Sequence, residues 1–212
     1  MKKKILNALL LLSAIASFMT SCKKNNDGKD TGTAIANTLW TGNINYTGLS
    51  AQPISMSFDN GGQATFYELS GESTGTWTVT GNTIKVNFGG NGFAADIANG
   101  NTLTNIKTTA GSKWMLINAA LNNSTDASLD NTNWTGTNIA ISFKPNNKLD
   151  LVLGVGLTLY QNLPYIRKGK SIRFQASAAY KWFLVTASDA SYKGANSFSP
   201  DPTVYLFDLS KK

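Results

Sequence analysis

From residue 37 onward the chain alternates. Ile54, Met56 and Phe58 point one way, Ser55 and Ser57 the other. Trp77 and Val79 alternate with Thr76, Thr78 and Thr80; Ile84, Val86 and Phe88 alternate with Lys85 and Asn87; Phe93, Ala95 and Ile97 alternate with Ala94 and Asp96. A period of two is that of a strand with one face in a core and one in water. Turn formers separate the runs at Asp59-Asn60-Gly61-Gly62, Thr80-Gly81-Asn82, Gly89 to Gly92 and Asn99-Gly100-Asn101. These are hairpin signals, and strands recurring roughly every 8–12 residues suit an antiparallel meander. In the second half Leu149, Leu151, Leu153, Val155, Leu157 and Leu159 share one face of a long segment, with Gly154 and Gly156 on the other. Glycines so placed predict a bend, a bulge or a close backbone approach. Phe174 to Leu184 comes nearest to a helical period, yet Tyr180, Trp182 and Leu184 still alternate.

The alternating region repeats. Asn37-Thr38-Leu39-Trp40-Thr41-Gly42 returns as Asn131-Thr132-Asn133-Trp134-Thr135-Gly136, identical at five of six positions. In the same order, Ile54 to Phe58 is answered by Ile139 to Phe143, Gly81 to Phe88 by Gly169 to Phe174, and Lys113 to Ile117 by Thr203 to Phe207. The order implies a duplicated unit of about 80–90 residues. The expected organisation is an all-β chain with two tandem related antiparallel units, small meander barrels or sandwiches: unit 1 over residues 37–122 and unit 2 over 131–212. The polar stretch 123–130 is the expected linker. One larger barrel or sandwich built from both units is the alternative.

The first 36 residues are of another kind. Lys2, Lys3 and Lys4 precede an apolar run from Ile5 to Phe18 that ends in Met19-Thr20-Ser21-Cys22. A run this short does not cross ~30 Å of hydrocarbon and reads as a secretory signal peptide over residues 1–21. Residues 22–36 are polar and read as a flexible tether. Cys22, the single cysteine, sits where cleavage falls, so no disulfide supports the fold. The segment resembles a lipobox, the motif of bacterial lipoproteins, with Met19 in place of the usual Leu. That resemblance implies that Cys22 carries acyl chains such as palmitate, becomes the new N-terminus, and anchors the chain to a membrane. Two or three chains, at about 0.8 kcal/mol per buried CH₂, hold nearly irreversibly.

Charge is uneven along the chain. Residues 31–123 carry three lysines against four carboxylates; residues 131–212 carry ten basic against four acidic residues, a net of +6. A basic second half suits anionic lipid, lipopolysaccharide or acidic glycan, against the alternative of a merely solvated surface. An exported lipoprotein is not expected to meet nucleic acid.

Catalytic chemistry is thin. The chain has no histidine, which removes Ser-His-Asp and Cys-His catalysis and His-ligated zinc. Glu68 and Glu72 are the only glutamates and read as solvated turn residues rather than a glycosidase pair. Asp59-Asn60-Gly61-Gly62 reads as a hairpin turn rather than a calcium loop. The expectation is a chain that is not an enzyme and uses neither cofactor nor metal.

The pattern, with strands such as Gly75-Thr76-Trp77-Thr78-Val79-Thr80-Gly81-Asn82-Thr83-Ile84 and the Trp40-Thr41-Gly42 opening, resembles the lipocalin-like (calycin) β-barrel domains of exported Bacteroidota lipoproteins. The resemblance implies small barrels. Eight strands in ~80 residues make a barrel just filled by its own side chains. Lys23 in place of the aspartate that retains well-known lipoproteins at the inner membrane implies the outer membrane. Lys23-Lys24-Asn25-Asn26 is not the acidic tether of surface export in that phylum, so the periplasmic and surface faces both stay open.

Candidate binding residues are few. Trp40 and Trp134 match across the repeat, while Trp77 and Trp114 face Tyr165 and Tyr205; positions filled alike read as core. Trp182 has no clear partner and is the candidate stacking platform, with core packing as the competing reading. Arg167, Lys168 and Lys170 at a hairpin tip, with Arg173 beyond it, form a candidate anion grip. The competing reading is a lysine-rich turn that keeps the hairpin soluble. Three functional classes follow: a glycan- or polyanion-binding lipoprotein, a carrier of a small apolar ligand, and a structural or inhibitory partner of another envelope protein.

Overall fold

The computed structural model describes residues 35–154, 158–199, 201 and 203–212. The expected signal peptide, Cys22 and the expected tether up to residue 34 lie outside the described residues, as do Val155, Gly156 and Leu157. The described residues form one compact unit. Within it are two closed antiparallel barrels of eight strands each.

The first barrel is β1 (Thr38–Tyr46), β2 (Gln52–Phe58), β3 (Gln63–Tyr67), β4 (Glu72–Thr80), β5 (Thr83–Phe88), β6 (Asn91–Ala98), β7 (Thr102–Thr108) and β8 (Trp114–Leu121). The second is β9 (Asn133–Gly136), β10 (Ile139–Lys144), β11 (Lys148–Leu153), β12 (Thr158–Lys168), β13 (Ser171–Gln175), β14 (Tyr180–Ser188), β15 (Ser191–Phe198) and β16 (Val204–Lys211). Each strand pairs with the next, and the last returns to the first: β1 on β8 and β9 on β16. The expected hairpin turns fall between β2 and β3, β4 and β5, β5 and β6, and β6 and β7. At the first of them Asp59 accepts a hydrogen bond from the Gln63 amide (2.7 Å), closing the turn through its own side chain.

The repeated Asn-Thr-x-Trp-Thr-Gly motif is a barrel-closing device. Asn37 and Asn131 take left-handed φ values of 60° and 59°, a conformation asparagine tolerates better than most residues. Their amides donate to the Phe58 and Phe143 carbonyls. The following threonine then works both ways. Thr38 donates to the Ile35 carbonyl and accepts the Trp40 indole N–H; Thr132 donates to the Leu129 carbonyl and accepts the Trp134 indole N–H. The indoles are thereby satisfied inside the core. At Gly42 and Gly136 the closing strand crosses so near that an added Cβ would lie 2.0 Å from the Asn118 carbonyl oxygen and 2.1 Å from that of Asp208.

These contacts move two expected boundaries. Ile35, placed in the tether, is fully buried, and with Ala36 it packs on the core of the first barrel. Leu129, placed in the linker, is buried in the second. Each is a plug held by its threonine, and a lone apolar residue in a polar stretch carries too little pattern to be seen. The leucine run is also interrupted: β11 ends at Leu153, Gly154 turns the chain, and Leu159 on β12 is exposed.

Both interiors are filled by aromatic rings. In the first, Phe66 stacks on Trp114 (centroids 5.1 Å apart), and Phe58 lies edge-on to Trp77 (5.7 Å). In the second, Trp134 meets Tyr192 (4.6 Å), and Phe174 stacks on Trp182 (5.6 Å). Such pairs add about 0.5–1.5 kcal/mol each beyond their buried area. Tyr205, unlike Trp114, is exposed.

The barrels meet through the outer face of β2, which packs against β14 and β15. Ser55, expected in water, is fully buried there with its hydroxyl unpartnered. Leu69 and Tyr67 of the first barrel join Phe183, Val185, Ala195 and Val204 of the second in a small separate core. This is why β14 is buried on both faces along Trp182 to Thr186.

Candidate functional site

The hairpin tip between β12 and β13 is not a free anion grip. Arg167 donates to the Ala127 carbonyl and approaches Asp126 at 3.5 Å. Lys168 pairs with Glu72 of the first barrel at 2.6 Å. Lys170, only 5% exposed, donates to the Ser124 carbonyl and to Asp126 (2.8 Å). Arg167 and Lys170 hold the strap between the barrels, and Lys168 ties the hairpin to the first barrel. Thr125 bonds Asp189 (2.6 Å), and the Asn122 amide donates to the Thr186 carbonyl (2.6 Å). The expected linker 123–130 is therefore a pinned strap.

Trp182 is not a surface platform either. It is 2% exposed, enclosed by Phe174, Tyr180 and Phe207, and its indole N–H has no hydrogen-bond partner. Strand register also supplies the repeat partner that was missing. Phe174 pairs with Trp182 on β13–β14, and its counterpart Val86 pairs with Phe93 on β5–β6. Trp182 thus answers Phe93, a core position.

Arg173 has a different setting. It lies opposite Ile166 on β12 and Phe183 on β14, on the outer face of the sheet. Among the described residues no carboxylate pairs with its guanidinium and no hydrogen bond engages its side chain. It lines a cleft of about 550 Å³ bounded by Leu69 and Ser70 of the first barrel and by Ile166, Gln175 and Lys181 of the second. Lys181 and Gln175 are exposed and face each other across β13–β14. The cleft offers two cations, a side-chain amide and an apolar wall.

A second cleft, about 450 Å³, adjoins it and shares Leu69, Ser70 and Lys181. Its floor holds Glu68, which is 6% exposed rather than a solvated turn residue. The carboxylate accepts the Tyr46 hydroxyl (2.5 Å) and the Ser70 hydroxyl (2.7 Å). Burial, and then the Glu68 carboxylate, push the Tyr46 phenol well above its ordinary range. Glu68 follows Ala64 and Phe66 at every second position, so the alternation itself had placed it on the core face. Asp201 and Phe198 stand on the facing wall.

Against family models, curated proteins and solved structures the chain finds no match.

Proposed function

We propose that this chain is a lipid-anchored, non-enzymatic binding protein of the bacterial cell envelope. In this reading it is a lipocalin-like lipoprotein held at the outer membrane through acylated Cys22, and it takes an acidic glycan or other polyanion in the cleft between its barrels. One observation carries the binding reading: Arg173 stands in a 550 Å³ cleft with no carboxylate partner among the described residues, while the three cations beside it in sequence are all engaged. A guanidinium is a rigid fork suited to sulfate, phosphate or carboxylate, and Lys181 adds a second charge.

The other readings have less support. A carrier of a small apolar ligand needs room that the stacked rings of both barrels occupy. A docked envelope protein needs one contiguous apolar patch. The exposed Met115 and Ile117 are on β8, whereas Leu159, Phe198, Tyr205 and Leu206 are on the second barrel.

The test is a glycan and lipid array probed with the full chain in detergent and with Arg173→Ala beside it. Expected is saturable binding to anionic glycans that weakens with salt and is diminished in the variant. Binding that ignores Arg173→Ala, or none, contradicts the reading. For the anchor, Cys22→Ser is expected to abolish palmitate labelling and release the chain from membranes; a labelled or membrane-bound variant contradicts it.

A further inference from the structure

The duplication extends beyond the cores. Register superposes the two outer faces residue by residue. On β4–β5, Thr78 pairs with Lys85 and Trp77 with Val86; on β12–β13, Ile166 pairs with Arg173 and Tyr165 with Phe174. Lys85 therefore occupies the position of Arg173. Asn87, two residues on, occupies that of Gln175, and Ala94 across β5–β6 that of Phe183. A groove of about 400 Å³ lies at this place on the first barrel, lined by Thr76, Thr78, Lys85, Asn87, Ala94 and Lys107. Both barrels thus carry a groove over the same three strands. Each has a cation at one matching position, an amide at another, and a second lysine nearby.

The second lysine is supplied differently. Lys107 pairs with Ala94 from β7, whereas Lys181 lies opposite Gln175 on β14. Among the described residues neither Lys85 nor Lys107 makes a side-chain hydrogen bond or salt bridge, although the Lys107 charge helps to hold the Asp96 carboxyl below its ordinary range, after its hydrogen bonds from Asn105 and Thr83. Asn87 accepts one hydrogen bond, from the Gly90 amide at 3.3 Å. The cations at the matching positions are thus not there to hold the fold, in contrast to Lys168 and Lys170. Lys85 and Arg173 fall on the same residue of the repeat, each two residues before an amide side chain.

We infer that the chain has two equivalent binding grooves, one on each barrel, and that each takes a short acidic oligosaccharide. This rests on the glycan-binding reading of the Arg173 cleft and doubles it. Lys85 and Arg173 would pair with the sulfate or carboxylate, Asn87 and Gln175 with a ring hydroxyl. An open groove walled by threonine hydroxyls, as on the first barrel, suits a ligand polar along its whole edge. The grooves are not identical: Ile166, Leu69 and Pro164 make that of the second barrel more apolar, so it would tolerate a less hydroxylated sugar.

Isothermal titration of the full chain in detergent with a heparin-derived tetrasaccharide tests this. Expected is a stoichiometry of about two, falling to about one in Lys85→Ala and in Arg173→Gln, and to no measurable binding in the double variant. Cooperative melting of each variant confirms that it is folded. A stoichiometry of one that is lost in Arg173→Gln and untouched by Lys85→Ala overturns the second groove and leaves the Arg173 cleft standing. Binding lost only in Lys85→Ala overturns both that cleft and the equivalence. No saturable binding, or binding indifferent to both substitutions, overturns both readings.

Discussion

The two barrels share a plan and differ in what they do with it. Both are closed by the same asparagine, threonine, tryptophan and glycine, and both carry Phe58 or Phe143 at one core position. At the mouth of the first, however, stands a buried carboxylate. Ala64 and Phe66 answer Leu149 and Leu151, so Glu68 answers Leu153. In the second, the basic hairpin between β12 and β13 is bound to the strap and to Glu72, whereas its counterpart between β4 and β5, at Thr80 to Thr83, holds no basic residue. Duplicated positions that agree report how a barrel of this size is closed. Those that differ report how one barrel was fitted to the other.

The agreement is most severely tested at the closing glycines. Gly42→Ala and Gly136→Ala should each cost about 3–5 kcal/mol, because backbone, not a mobile side-chain end, occupies the space a methyl would need. Chemical denaturation checks this, and a loss below about 1 kcal/mol in either barrel would show that its strands do not close as drawn. Next come Thr38→Val and Thr132→Val. Each strands a buried indole N–H and a plug carbonyl, and each should cost about 1–3 kcal/mol, with similar values if the two plugs are equivalent.

The difference is tested at Glu68. Tyr46→Phe should cost about 1–3 kcal/mol at neutral pH, since it removes a donor from a buried carboxylate. The folded chain holds the Tyr46 proton more tightly than the unfolded chain does. Its contribution is therefore complete below pH about 10 and is lost as pH rises beyond it. Tyr165 and Tyr192, both raised by burial, add to the same alkaline loss. Tyr46→Phe should flatten the decline without abolishing it, as read by denaturant midpoints between pH 8 and 11. An unchanged slope would contradict the assignment. The smallest effect is expected at Ser55→Ala, which removes an unpartnered buried hydroxyl and should be neutral or stabilising by up to about 1 kcal/mol. A loss above about 1 kcal/mol would mean that the hydroxyl has a partner.

Much of this was legible in the chain. Alternation at period two and the turn dipeptides locate the strands, and the Asn-Thr-x-Trp-Thr-Gly repeat sets the duplication and its frame. What was hidden is mostly contact between the barrels. Alternation says that Ser55 faces outward, but not that another barrel lies there. A cluster of Arg167, Lys168 and Lys170 looks like a ligand site because charge in sequence carries no record of where Asp126 and Glu72 will fall. Ile35 and Leu129 are single apolar residues in polar stretches. Glu68 was readable, since it stands in phase with Phe66, and was lost only because a turn follows it. Of the candidate site, Arg173 lines a cleft whose wall also includes the buried Trp182, and the register that links Arg173 to Lys85 is already present in the loose match of Gly169–Phe174 to Gly81–Phe88.

The most direct test of the binding account is a crystal structure of the protein soaked with the heparin-derived tetrasaccharide. The account predicts sulfate density against the Arg173 guanidinium in the inter-barrel cleft, and a second molecule against Lys85 on the first barrel. Density at the Arg167–Lys170 turn instead, or inside either barrel, would contradict it.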